Sequence, residues 1–507
     1  MKRVIFLVMT VFSLAITNDQ NITDALRYST ESLNGTARFN SLSGAFGALG
    51  GDVSSIVVNP AGSSVFLNSV GTITVSVVDK KNKATYFNTT TSTSDANFKF
   101  NQLGFVFVLR NPNPESSFNK FTMGLNYIAT QNFDENLFVR GTGNTSISEF
   151  FLAQAQGVPL NLLQLQSGET ISSLYSYLGE TEGVAAQNAF LGYQGFIIDP
   201  IDPDNPSNTQ YYSTIAPGNY YQEYSYYTSG YSGKYTFNLA TQLNRNISLG
   251  VNLNSNNIDY RQTTFLYETN SNQGSLVNNV GFENNLAVYG WGFSAQFGAI
   301  AKVTNSLRVG LTYDTPIWYD IYEETIQYLE TQRNQNGNTI NEIIDPRIVN
   351  IFQKYELRTP WKVSGSAAYV FGKQGLISFD YVYKDYSSIQ FGPSHDPVFA
   401  AENNRIKSEL KGASIYRIGG EYRIDLLSIR GGYVFEESPY KNTTTLGDLT
   451  GFSFGFGYFL GSYNIDLSYS RTQQDRKQQL YDVGLTDVAS INTSRNNYVL
   501  TIAYEIN

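Results

Sequence analysis

The sequence predicts an all-β protein: a transmembrane antiparallel β-barrel of about fourteen strands, with an N-terminal hatch of short helices plugging the lumen. Composition, alternating strand patterns and unequal connections indicate this fold. Charged residues are 15% and aromatic residues 14% of the 507-residue chain, and the mean hydropathy is −0.25. Soluble domains contain roughly 25% charged residues. A barrel strand alternates lipid-facing and lumen-facing residues, so a barrel is aromatic-rich yet polar on average.

Apolar residues alternate with polar residues or glycine along much of the chain after residue 70. The pattern is clear in 248–254, 451–458 and 464–470. Such alternation is typical of half-buried strands, and a tilted strand of 9–11 residues crosses a bilayer. The predicted strands are 71–79, 101–110, 121–129, 234–242, 246–256, 290–301, 306–318, 361–371, 375–385, 414–423, 426–436, 451–460, 463–472 and 497–506.

The predicted connections alternate in length. Those after even-numbered strands are mostly short: 243–245, 302–305, 372–374, 424–425 and 461–462, with a longer turn-rich link at 111–120. Those after odd-numbered strands are long: 80–100, 130–233, 257–289, 319–360, 386–413, 437–450 and 473–496. Outer-membrane barrels have short periplasmic turns and long extracellular loops, whereas a soluble propeller or sandwich does not sort its connections in this way. The pattern therefore predicts the outer membrane of a Gram-negative bacterium.

The N-terminus resembles a secretory signal. Lys2 and Arg3 precede an apolar run over 4–16, with small residues before a cleavage site after Ala15 or slightly later. A short membrane anchor is the alternative, but the run is shorter than the roughly 20 residues of a spanning helix. We therefore expect a signal peptide at 1–17, a hatch at 18–68 and the barrel at 69–507, with 130–233 as its largest loop.

The segment 44–66 is rich in glycine and small residues and does not alternate. Asp52 is a plausible N-cap for a short piece ending at Val58, and proline suits the first turn of a second piece. Asn59-Pro60-Ala61-Gly62 separates the two pieces. Small residues allow close packing, so the segment suits the inside of a tube.

Polar side chains mark the predicted lumen face of the later strands: Lys362, Ser364, Ser366, Ser378, Asp380, Lys384, Arg417, Glu421, Arg430, Glu436 and Asp466. A charge facing lipid near the midplane costs about 2–4 kcal/mol, which favours the lumen. We expect these charges to pair within the wall; a substrate role is the alternative. The predicted outward face carries a girdle of Tyr416, Tyr433, Tyr458, Tyr469 and Tyr504.

Residues for catalysis and metal binding are scarce. The chain has no cysteine, and its one histidine, His395, lies in a predicted loop. We therefore expect no enzyme activity, no catalytic residues and no cofactor. The stretch 197–208 carries aspartates among prolines, which favours a solvated turn over a calcium loop, so no metal is expected. The formal charge of −9 argues against nucleic acid as a partner.

Three stretches resemble the FadL/TodX family of outer-membrane transporters for hydrophobic compounds. The Asn-Pro-Ala-Gly motif stands before the first strand, 289–316 is similar to the family's glycine-aromatic hairpin, and 359–372 is similar to the strand that follows. The resemblance implies a hatch motif of Asn59, Pro60, Ala61 and Gly62. It also implies passive transport of a hydrophobic small molecule, such as a long-chain fatty acid, with lateral release of that molecule into outer-membrane lipid. We expect the protein to be a monomer.

We expect four apolar hatch residues near the ligand path: Phe46, Leu49, Val65 and Phe66. The alternative is that they only pack the plug against the wall. Two other functions stay open, a polar-solute porin and a non-transport adhesin or secretion-associated barrel. The segment 143–229 keeps the second open, because we expect short helices and exposed aromatic residues there at the barrel mouth.

Overall fold

The structure is a computed structural model that describes residues 21–113 and 115–506. The predicted signal peptide, 1–17, lies outside the described residues. Within the described part of the chain no helix has the length and apolar character needed to cross a membrane. The strands are β1 Ser69–Tyr86, β2 Thr89–Arg110, β3 Phe118–Asn132, β4 Glu135–Gly143, β5 Ile198–Pro200, β6 Tyr211–Ser213, β7 Tyr220–Leu243, β8 Ile247–Thr269, β9 Val277–Lys302, β10 Leu307–Asp314, β11 Trp318–Gln335, β12 Asn338–Ile344, β13 Asn350–Ile351, β14 Tyr355–Arg358, β15 Lys362–Phe371, β16 Gly375–Asp385, β17 Gln390–Gly392, β18 Gly412–Ile424, β19 Leu427–Glu436, β20 Leu449–Leu460, β21 Tyr463–Gln479 and β22 Val488–Ile506.

Helices occupy the N-terminal segment and two extracellular connections. The α-helices are α1 Ile22–Ser29, α2 Ala37–Ser41, α3 Ser148–Ala155, α4 Ile171–Thr181, α5 Val184–Gln194 and α6 Pro397–Glu409. Short 3₁₀ helices span Val53–Val57, Pro60–Val65, Leu160–Leu162 and Tyr386–Ser388. Asp52 caps the first of these by accepting a hydrogen bond from the Ser54 amide at 2.8 Å, as the sequence predicted.

The wall closes on itself. Strand β1 pairs antiparallel with both β2 and β22, so Ile73 lies opposite Leu103 on one side and Ile502 on the other. Four wall strands are interrupted, β3 with β4, β10 with β11, β14 with β15 and β16 with β17. Pro316 and Pro360 lie in two of the gaps, because proline cannot donate to a ladder. Counted in this way, the described chain forms a closed barrel of fourteen strands, which confirms the predicted fold class.

The extracellular connections differ from the prediction. The stretch 80–100, predicted as a loop, consists of the ends of β1 and β2 joined by a two-residue turn at Phe87 and Asn88. The loop predicted at 130–233 is shorter, 144–219, because the end of β3, all of β4 and the start of β7 lie within the predicted range. Beyond the membrane neither strand face meets lipid, so alternation disappears. The threonine- and serine-rich run 89–94 still favours strand through its β-branched residues.

The predicted short turns at the opposite end are confirmed. Strands β7 and β8 are joined by 244–246, where Asn244 and Arg245 adopt left-handed φ values of 47° and 61°. Strands β20 and β21 are joined by Gly461 and Ser462, with Gly461 at φ 72°. Both turns are tight because they connect adjacent antiparallel strands.

The connection between β4 and β7 folds into a small helical unit over the extracellular mouth. Helices α3 and α5 pack their Phe151 and Phe190 rings, both fully buried, into one apolar core with Phe282 of β9 and Leu329 of β11. A second core joins α1 to α6 and the upper wall. The N-terminal segment therefore reaches from the extracellular half of the lumen down to the start of β1.

Candidate functional site

The predicted hatch motif joins the plug to the wall. Asn59 is fully buried, and its Nδ2 donates to the carbonyls of Gly47 at 2.7 Å and of Ala299 at 3.1 Å. Its Oδ1 accepts from the Ala61 amide at 3.1 Å and so caps the 3₁₀ helix that begins at Pro60. One side chain thus fixes two parts of the hatch to each other and to strand β9.

Wall glycines make room for the motif. A Cβ at Gly298 would lie 2.1 Å from Asn59 Oδ1, and a Cβ at Gly250 would lie 2.4 Å from the carbonyl carbon of Pro60. At Gly310 it would lie 2.3 Å from another hatch carbonyl oxygen. Gly298 and Gly310 belong to the glycine-aromatic hairpin at 289–316. In this hairpin both glycines allow the hatch to pack closely against the wall, because a side chain at either position would clash with the hatch.

The side-chain amides of three wall residues hold the hatch backbone, and the sequence did not predict this role for them. Each donates to a hatch carbonyl: Asn238 to Pro60 at 2.9 Å, Asn252 to Ile56 at 2.8 Å and Gln296 to Val57 at 3.0 Å. Ile56 and Val57 end a 3₁₀ helix, whose last carbonyls have no partner within the helix, so Asn252 and Gln296 satisfy groups that would otherwise be buried without partners. The Pro60 carbonyl also accepts from the Ser63 hydroxyl. The signal available in the sequence was asparagine or glutamine at lumen positions of alternating strands.

The predicted pairing of lumen charges is found around Glu421. Its buried carboxylate contacts Arg430 of β19 at 2.7 Å and Arg38 of α2 at 2.8 Å, and Arg430 also pairs with Asp466. Asp380 differs, since its Oδ2 accepts hydrogen bonds from hatch amides at 2.9 and 3.0 Å. Lumen charges therefore anchor the hatch as well as the wall.

Of the four residues expected near the ligand path, three pack between hatch and wall and one packs within the hatch. Phe46 and Leu49 are buried with Leu376 and other residues of the later strands, while Phe66 packs against an apolar cluster at the start of β1. Val65 lies against Gly50 and Gly51 of the hatch. None of the four lines the lumen cavity described below.

A cavity of about 80 Å³ lies between the hatch and the wall. One part of its lining is apolar: Leu33, Phe39, Val57, Val58, Ile128, Ala129, Val382 and Ile415. The other part is polar, with six charged residues, Glu31, Lys234, Lys362, Lys384, Arg417 and Glu436, and five uncharged ones, Ser32, Asn34, Thr130, Ser364 and Tyr386. The cavity therefore combines an apolar surface with a concentration of positive charge.

Glu31 lies at the centre of the charged part. Its two carboxylate oxygens accept hydrogen bonds from Lys234 Nζ of β7 and Lys362 Nζ of β15, each at 2.9 Å. Lys384 of β16 donates to the carbonyl of Ser29, at the end of α1. Three lysines from separate strands thus converge on the irregular segment that joins α1 to α2.

The wall has a seam beside this cavity. The β2–β3 ladder ends at the pair Gln102–Ile128, and β3 bulges away from β7 between Ala129 and Gln131. Above that pair, within the described chain, 89–101 of β2 forms ladders with β1 alone. We call this break, between 89–101 of β2 and 129–138 of β3 and β4, the seam.

Side chains bridge the seam where ladder bonds are missing. Near the top, Thr93 Oγ1 donates to the Asn136 carbonyl at 2.6 Å, and lower down Lys99 forms an ion pair with Asp134. Because Ala129 and Ile128 line the cavity and also border the seam, only one layer of residues separates the cavity from the outside of the wall.

The remaining candidate residues are remote from the lumen. His395 is exposed in the loop before α6, and the aspartate-containing turn at 197–208 is mostly exposed beyond β5. No group of three or more histidine, cysteine, aspartate or glutamate residues suited to a metal ion occurs among the described residues.

Comparison with known proteins is consistent with this architecture. A sequence profile of the family described as outer membrane protein transport protein (OMPP1/FadL/TodX) matches residues 209–507. The fold matches a Pseudomonas aeruginosa FadL homologue with a TM-score of 0.57 and 13% identity, covering 94% of this chain and 100% of that one. It matches the P. putida toluene transporter TodX with a TM-score of 0.52 and 12% identity, at the same coverages. No curated protein matched the chain.

Proposed function

This chain belongs to the FadL/TodX family of outer-membrane transport proteins, and we propose that it carries hydrophobic molecules with an anionic head group, of which long-chain fatty acids are the main class. The family consists of β-barrels of the Gram-negative outer membrane that transport hydrophobic compounds, which places this chain in that membrane. In our proposal the molecule enters from outside, occupies the lumen cavity and leaves sideways through the seam into the bilayer.

The two-part lining of the cavity is the observation that carries this proposal. A pure hydrocarbon gains nothing from Lys234, Lys362 and Lys384, and separating these ammonium groups from their partners, Glu31 and the Ser29 carbonyl, would be costly. A carboxylate would satisfy them with charge-assisted hydrogen bonds, while its chain would contact the apolar part near Ile128 and Val382.

Lateral release is supported by the position of the seam. Unpaired strand edges are unfavourable in hydrocarbon, so the break at the lower end of the seam, beside the exposed Phe98 and Phe100, needs compensation or a purpose. Here the carbonyls of Ala129 and Thr130 bond to the hatch instead of to β2. A molecule in the cavity meets these residues first on its way to the lipid.

The physical demand on such a transporter is modest. The barrier for an amphipathic chain is the polar outer leaflet, whereas each buried CH₂ group gains about 0.8 kcal/mol in an apolar environment. A protected route from the mouth to the bilayer interior removes that barrier without any energy source.

Drug-sized ligands need sites of roughly 300–1,000 Å³, so the cavity of about 80 Å³ requires movement of the hatch.

Uptake by cells tests the proposal. The protein is expressed in a Gram-negative host that lacks its own fatty-acid uptake barrel, and entry of radiolabelled palmitate and of hexadecane is measured. We expect palmitate uptake to depend on the protein and to be lost when the seam is closed. The closing variant is Lys99→Cys/Asp134→Cys, bridged by a short thiol cross-linker; the chain has no native cysteine to interfere.

The matched control bridges a continuous part of the wall. Tyr227 and Thr263 face each other on the β7–β8 ladder, so a bridged Tyr227→Cys/Thr263→Cys variant should transport normally. Equal palmitate uptake with the seam open and bridged contradicts lateral release. Passage of small polar solutes in place of palmitate would instead identify a porin, and no uptake of either would favour a non-transport role.

A further inference from the structure

We infer that Glu31 is a built-in substitute for the ligand carboxylate: it occupies the head-group position and keeps the hatch across the seam until a ligand carboxylate replaces it. This inference rests on the proposed function, since it concerns the same cavity. It assigns to one hatch residue both selectivity for anionic ligands and control of the lateral exit.

The contacts of Glu31 are those that a bound carboxylate would make. One oxygen accepts from Lys234 and the other from Lys362, both at 2.9 Å, and the two lysines come from the separate strands β7 and β15. The side chain is 32% accessible, because the cavity lies against it. Burial alone would raise the pKa of the Glu31 carboxyl, but Lys234, Lys362 and Lys384 hold it well below its usual range.

The residues directly after Glu31 lie against the β3 side of the seam. The Ser32 amide donates to the Thr130 carbonyl at 2.8 Å, and Asn34 Nδ2 donates to the Ala129 carbonyl at 2.9 Å. Thr30 and Thr36 cap the two helices, but 31–35 between them makes no backbone–backbone hydrogen bond to either helix, so this part can move without unfolding α1 or α2. Displacing Glu31 from the lysines therefore loosens the few residues that lie behind the break in the wall.

Charge balance makes the replacement selective. The cations around the cavity and the smaller space that adjoins it at Glu31 and Lys362 are Lys234, Lys362, Lys384 and Arg417, and the facing acids are Glu31, Asp314 and Glu436. A ligand carboxylate that replaces Glu31 preserves this balance at the lysines, whereas an uncharged molecule would leave them unpaired. Buried charges without partners are costly, so a hydrocarbon or an alcohol displaces Glu31 poorly.

Binding by the full-length protein in detergent tests the competition, with palmitate and 1-hexadecanol as probes. Glu31→Gln removes the competing charge, so palmitate should bind at least about tenfold more tightly, a change of about 1.4 kcal/mol. Binding of 1-hexadecanol should strengthen much less, because its uncharged hydroxyl cannot replace the lost carboxylate at the lysines. Glu436→Gln is the matched control, because it removes a carboxylate from the same cavity that makes no hydrogen bond to segment 30–36 in the described structure, and it should have a much smaller effect.

A second measurement reports on the hatch itself. Since the chain has no cysteine, Leu33→Cys places a single thiol in segment 30–36. Its reaction with a maleimide should accelerate when palmitate is added but not when 1-hexadecanol is added. In the Glu31→Gln background the reaction should be fast without any ligand, and in the Glu436→Gln background it should stay slow.

Lys362→Met separates competition from simple structural support. Losing this lysine should free the hatch, so the Leu33→Cys thiol reacts faster, yet palmitate should bind more weakly. Weaker or unchanged palmitate binding in Glu31→Gln, while the wild type binds palmitate, overturns the inference and leaves the proposed function intact. Failure of the wild type and all variants to bind either probe refutes the proposed function and, with it, this inference.

Discussion

The central role of Asn59 in docking the hatch can be tested by Asn59→Ala. The substitution removes three hydrogen bonds: two donated by Nδ2, at 2.7 and 3.1 Å, and one accepted by Oδ1, at 3.1 Å. A typical hydrogen bond contributes about 1 kcal/mol net, so the hatch should lose about 3 kcal/mol of docking free energy. The barrel ladders are untouched, because Asn59 belongs to no strand.

Hydrogen–deuterium exchange of the detergent-solubilised protein measures this loss. Local opening governs exchange, and about 3 kcal/mol corresponds to roughly a hundredfold faster exchange of amides in 53–65. Asn68→Ala is the control, since the hydrogen bonds of Asn68 at the hatch end are 3.3 and 3.4 Å long. Unchanged exchange of 53–65 in Asn59→Ala, or equal acceleration in the wall strands, would refute the assigned role.

Three further predictions concern the wall and the hatch. Gly250→Ala should accelerate exchange in the hatch, because its Cβ would lie 2.4 Å from the hatch backbone, whereas Gly365→Ala, with nothing within 4 Å of its Cβ, should not. Glu421→Gln should lower the urea midpoint of unfolding, since breaking a buried ion pair costs about 3–5 kcal/mol; an unchanged midpoint would show that the arginines find other partners. Deleting 18–66 should raise ion conductance in planar bilayers and alter hydrophobic uptake, and if both are unchanged the segment is no plug.

Local sequence patterns predicted some features of the fold. Strand alternation predicted the fourteen wall strands, because each strand meets lipid on one face and the lumen on the other. The proline after Asn59 and the cap at Asp52 predicted two short helical pieces, because proline and capping side chains act within a few residues. The extracellular extensions of the strands escaped prediction, because above the bilayer no lipid imposes alternation.

Other features depend on residues far apart in the chain. The alternating runs and the unequal connections predicted an outer-membrane barrel, since each responds to its immediate surroundings, and the family resemblance of the Asn-Pro-Ala-Gly motif implied the plug. The meeting of Glu31 with Lys234 and Lys362, and the end of the β2–β3 ladder beside them, are set by barrel closure and strand register. These properties belong to the whole closed wall, so only the tertiary structure could bring the cavity, its charges and the seam together.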